Sequence, residues 1–79
     1  MVKIKTIEIT TMRYVRGSLE AFLDGKKELN WVKGTIKNSG ILNYKGMLQE
    51  IFDGLRRYSK LTRYQSILKV CQKEGWLKS

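Results

Sequence analysis

The chain has no proline, no histidine, a single cysteine and no apolar run approaching the length of a membrane span. Each absence removes a class of reading. Histidine is the general base that enzymes use most often. Cys71 has no second cysteine to bond and no histidine beside which to hold a metal or act as a nucleophile. The apolar stretch of about 18 residues that reads as a membrane span is missing, so no membrane is expected. The opening "MVKIKTIEITT" lacks the apolar segment of a secretory signal, which predicts a cytoplasmic protein. The glycines stand singly, and none falls in the phosphate-cradling pattern G-x-x-x-x-G-K-[ST]. Close acidic pairs occur at Glu20/Asp24 and Glu50/Asp53. That spacing puts two carboxylates on one helix face, more commonly a solvated face beside Arg or Lys than a cation site. No metal or other cofactor is expected, and an enzyme is disfavoured.

Positive charge is what the chain has in excess. Sixteen basic residues face seven acidic ones across 79 residues, a formal net of +9. The excess is uneven. Residues 1–53 hold nine basic and six acidic side chains, whereas residues 54–79 hold seven basic ones and Glu74 alone. A positive field concentrated in the last third draws in polyanions. Basic surfaces also keep small proteins soluble, so charge alone divides the expectation between a nucleic acid and an acidic protein surface.

Length and continuity predict one domain over residues 1–79, since no linker, repeat or low-complexity stretch interrupts it. A chain this short buries only roughly 60–65% of its unfolded surface. Hydrophobic periodicity predicts a mainly α fold. "KIKTIEITT" is rich in β-branched residues and predicts a short N-terminal strand or extended arm. From Met12, the spacing of Val15, Leu19, Phe22 and Leu23 predicts an amphipathic helix, capped by Thr11 and ended at Asp24-Gly25.

Residues 29–44 admit two readings. One is a helix burying Leu29, Val32 and Ile36, which the spacing favours. The other is a hairpin turning at Asn38-Ser39-Gly40, which would make the fold α+β. Tyr44, Met47, Leu48, Ile51, Phe52, Leu55 and Tyr58 then form a stripe predicting a helix over 44–58 with Asn43 as its cap. Gly46 and Gly54 are candidates for close approach of a neighbouring helix. A last helix follows from Leu61, with Leu61, Tyr64, Leu68 and Cys71 inward and Ile67 widening that face. Ser59 or Thr62 can cap it, and Thr62-Arg63-Tyr64-Gln65 fits a capping box. Gly75 fits the left-handed exit, with Trp76 closing over Cys71.

Two helices joined by a short turn around Ser59-Lys60, both facing one core, form a corner like that of a helix-turn-helix. The strict pattern of that motif is not met, because aligning Gly54 with its turn glycine puts Gln49 and Asp53 at apolar positions. The geometry nonetheless nominates Thr62, Arg63, Gln65, Ser66, Lys69, Gln72 and Lys73 as an outward face able to reach base edges. Arg56, Arg57 and Lys60 are nominated for phosphates. The expected function is therefore binding of nucleic acid, DNA by preference, in an accessory or regulatory role. A homodimer is expected because one such helix reaches only one half-site. The competing expectation is an inhibitor or adaptor that docks the same basic face on an acidic or nucleic-acid-handling protein.

Overall fold

Met12, Val15, Leu19, Phe22 and Leu23 do share one side of a helix, and that side anchors the core. In the computed structural model, which describes residues 2–78 and side chains 9–78, they lie on α1 (Val2–Leu23). Three further helices follow: α2 (Leu29–Ser39), α3 (Met47–Gly54) and α4 (Thr62–Lys73). Single 3₁₀ turns occupy Ile41–Asn43 and Arg56–Tyr58. The fold is thus mainly α, 74% helical, with no strand among the described residues.

Buried side chains from all four helices meet in one cluster. Val15 and Leu19 of α1 meet Val32 and Ile36 of α2, Ile51 and Phe52 of α3, and Ile67 and Cys71 of α4. Ile41, Leu55 and Leu77 fill the corners from the connecting segments. Burying side chains of this kind contributes roughly 1.5–3 kcal/mol each, which offsets the entropy of ordering a short chain. Phe52 and Tyr64 pack edge to face with ring centroids 5.7 Å apart, and the Tyr64 hydroxyl donates to the Phe52 carbonyl at 3.2 Å. That pair holds α4 on α3.

Two helix ends follow the glycine signals in the sequence. At Gly25 (φ +80°) and Gly75 (φ +81°) the chain turns left-handed, a conformation open to glycine without side-chain strain. After α4, Gly75 N–H donates to the Gln72 carbonyl and Trp76 N–H to the Cys71 carbonyl. After α1, Gly25 N–H donates to the Phe22 carbonyl and Lys26 N–H to the Ala21 carbonyl. Both patterns are Schellman closures. The half-buried Trp76 lies against the core, as its position after Gly75 predicts.

Several local expectations are corrected. The N-terminal strand is absent: residues 4–11 are part of α1, and Thr11 lies inside that helix. β-branched residues cost only a few tenths of a kcal/mol in a helix. No glycine or proline interrupts residues 2–16, so helix propagates from the core-anchored segment, while no partner strand exists among the described residues. Residues 29–39 form the favoured helix and not the hairpin. The predicted 44–58 helix is shorter and broken, because Gly46 adopts φ +86° at the N-cap and Leu55 leaves the helix at φ −107°. Its apolar stripe still points inward. A Cβ built at Gly46 or Gly54 would meet nothing within 4 Å, so neither glycine admits a neighbouring helix. Leu61, expected inward, is 43% exposed. It occupies the extended N-cap position of α4 and escapes the helical phase, and no side chain caps that end.

Candidate nucleic-acid interface

The inward residues of α4 set its orientation. Tyr64, Ile67 and Cys71 are buried, so the opposite side must face solvent. That side carries Thr62, Gln65, Ser66, Lys69 and Lys73, all exposed. At about 1.5 Å per residue these side chains extend over roughly 16 Å. No carboxylate interrupts them. Glu74, the one acid in the last third of the chain, bonds Lys33 of α2 at 3.3 Å.

The other two nominated members of this face lie on its flanks and already have partners. Arg63 is half-buried and turned toward α1. One guanidinium nitrogen donates to the Phe22 carbonyl at 2.9 Å and to the Lys27 carbonyl at 3.1 Å. The guanidinium carbon sits 4.7 Å from the centre of the Phe22 ring. Arg63 therefore clamps the start of α4 to the end of α1 and the loop after it, sharing the Phe22 carbonyl with Gly25 N–H at a helix end where the dipole favours a cation. Gln72 donates to the Lys78 carbonyl at 3.4 Å, tying the C-terminal segment back on α4.

The three residues nominated for phosphates all precede α4. Residues 55–61 separate α3 from α4, a longer connection than a turn around Ser59-Lys60 alone, and its 3₁₀ turn presents Arg56 and Arg57 outward. Arg56 lies 3.6 Å from Asp53, with 78% of its side chain exposed. Arg57 donates to Glu20 at 3.2 Å and stacks on the Tyr58 ring. The Tyr58 hydroxyl first, and Glu20 after it, raise Arg57 above its already high ordinary value. Exposed ion pairs of this kind contribute only about 0–1 kcal/mol, so an incoming phosphate can compete for either arginine. Lys60 is exposed at the end of this segment. Gln65 donates to the Ser59 carbonyl at 3.4 Å from its place at the start of the exposed face.

Cys71 belongs to the core and not to any chemistry at the surface. It is fully buried, and burial pushes its thiol up to about 12, with Glu74 adding to the rise. A neutral thiol with that exposure is an inert hydrophobe. Two aromatic residues of α1 and α2 also reach the surface, as expected if some of the chain's many aromatics serve an interface. Trp31 and Tyr14 are 39% and 56% exposed, and the Lys27 ammonium lies 5.0 Å from the Trp31 ring centre. Tyr14 was foreseeable from its position on α1 opposite Val15 and Leu19.

Searches against protein-family models, curated proteins and solved structures return no match. The functional reading therefore rests on the geometry and charge of the surface itself.

Proposed function

We propose that the protein binds nucleic acid, DNA by preference, with the outer face of α4. The observation that carries this reading is the acid-free exposed row of Thr62, Gln65, Ser66, Lys69 and Lys73, continued before the helix by Lys60, Arg57 and Arg56. A duplex major groove about 12 Å wide admits one α-helix with its side chains. In that pose Lys69, Lys73 and the arginines before α4 neutralise phosphates, while Gln65, Ser66 and Thr62 offer hydrogen bonds to base edges. Arg63 acts differently, holding the reading helix at a fixed angle to α1. The role fits an accessory or regulatory factor.

Titration of a labelled duplex at several salt concentrations tests the proposal. Log affinity should fall linearly with log salt, by about 0.9 for each phosphate neutralised. Absence of binding at low salt would remove the proposal and favour a protein partner.

A second reading has its own observation. Ile9, about half exposed, Met12 and Ile51 border an apolar groove of about 210 Å³ between α1 and α3, flanked by Arg13, Arg16 and Glu50. A second copy of the chain or an acidic protein fits a surface of this kind. Light scattering that gives a dimer mass, disrupted by Ile9→Asp, supports it. A monomer mass across the working concentration range removes the homodimer.

A further inference from the structure

Beyond the α4 face, the molecule has an aromatic cleft whose construction is local and specific. Gly40 (φ +82°) ends α2 and Gly46 (φ +86°) begins α3. Between them the chain makes a 3₁₀ turn and then extends through Tyr44 (φ −109°, ψ 97°). The Schellman closure at Gly75 brings Trp76 up on the other side. The space between is an open cleft of about 440 Å³ lined by Leu42, Asn43, Tyr44, Lys45, Leu48 and Trp76, among others. That volume lies within the roughly 300–1,000 Å³ range of small-ligand sites. Leu48 is buried beneath it, and both aromatic rings are only half-buried. Trp76 also borders an adjoining hollow of about 240 Å³ with Gln49 and Lys78. No carboxylate lines either space.

We infer that this cleft takes one unpaired base of a single-stranded nucleic acid, a site that deepens the nucleic-acid reading above and rests on it. The chemistry matches part by part. Tyr44 and Trp76 offer aromatic surface to the flat face of a base. The Asn43 amide carries both donor and acceptor for a base edge. Lys45 on the cleft and Lys78 on the adjoining hollow offer charge to the flanking phosphates. Paired bases inside a duplex expose edges but no faces, so the cleft selects unpaired nucleotides. The cleft borders Gly75 and Trp76, just beyond the C-terminal end of α4. Trp31 is the less suited ring, since the Lys27 ammonium already sits over it.

The test uses the two tryptophans. Trp31→Phe leaves Trp76 as the sole tryptophan, and its selectively excited fluorescence is followed as a short oligothymidylate is added. Saturable quenching of Trp76 is the expected result. In the same background Tyr44→Ala should weaken oligothymidylate binding about five- to 150-fold, the range that stacking on one base supplies. Duplex affinity should hold to within about twofold, because no stacked base enters the cleft. Lys45→Glu, which removes no buried surface, should weaken single-strand binding in the same direction and guards against a folding defect in Tyr44→Ala. Trp76 emission that stays constant while polarisation shows the oligothymidylate bound would overturn the inference. So would failure of the oligothymidylate to bind at low salt, or equal losses for duplex and single strand in Tyr44→Ala. Duplex binding without Trp76 quenching removes the cleft alone. Quenching without duplex binding removes the α4 groove reading and leaves the cleft standing.

Discussion

Replacing Arg63 with alanine removes three interactions at once, which join the start of α4 to the end of α1 and to the loop after it. Two are charge-assisted hydrogen bonds, to the Phe22 carbonyl at 2.9 Å and the Lys27 carbonyl at 3.1 Å. The third is the contact of the guanidinium with the Phe22 ring at 4.7 Å. Hydrogen bonds involving a charged group contribute about 1.5–3 kcal/mol, and a cation over an aromatic ring about 0.5–1 kcal/mol at an exposed site. The sum is about 3.5–7 kcal/mol, but Arg63 is only half-buried, so water replaces much of what is lost and the net loss falls below that range, to about 2–3 kcal/mol. For a domain of 60–100 residues each kcal/mol moves the midpoint by about 4–8 °C, so the Tm should fall by roughly 10–20 °C. Arg63→Lys keeps a cation at the helix end but loses the planar fork, and should give about half that drop. Thermal unfolding followed by circular dichroism at 222 nm measures both variants. A Tm for Arg63→Ala within about 3 °C of the unmodified protein would refute the clamp and return Arg63 to the exposed face.

Other outcomes follow from the same structure. Gly34→Ala, in a helix interior with nothing within 4 Å of the new Cβ, should stabilise by about 0.5–1 kcal/mol, whereas Gly75→Ala at φ +81° should destabilise by about 1 kcal/mol; urea unfolding distinguishes the signs. Native Cys71 should resist alkylation at pH 8 and react only at the rate the protein opens, because its thiol is buried and neutral. Its folded value, about 12, lies above the ordinary 9.0, so its contribution to stability is full below pH 9 and is lost as pH rises toward 12. The alkaline decline in Tm should therefore be shallower in Cys71→Ala.

Legibility in the sequence divides along the range of the forces involved. The second half of α1 and α4 were readable because each carries an amphipathic period and a glycine exit, both local signals, whereas α2 was favoured over a hairpin by its spacing alone. Val15, Leu19, Val32, Ile36, Ile67 and Cys71 are buried as their spacing implies. The first half of α1 misled because β-branched composition expresses a preference of tenths of a kcal/mol, which continuity with an anchored helix overrides. Leu61 misled because a residue one position outside a helix does not share its phase. Arg63 illustrates the deeper limit. The spacing put it on the outward face, because the proximity of α1's end to α4's start is tertiary and leaves no local trace. The exposed set Thr62, Gln65, Ser66, Lys69 and Lys73 was legible for the opposite reason, since it is simply the complement of the buried stripe.

On the proposed reading this exposed set meets nucleic acid, and apart from the bond of Gln65 to the Ser59 carbonyl it contributes little to the fold. Lys69→Glu with Lys73→Glu tests it most directly, measured as duplex affinity across a salt series alongside the Tm. The expected result is more than about a tenfold loss of affinity at low salt and a log–log salt slope shallower by about two, with Tm held to within about 4 °C. Unchanged affinity, or a double variant that no longer folds, would contradict it.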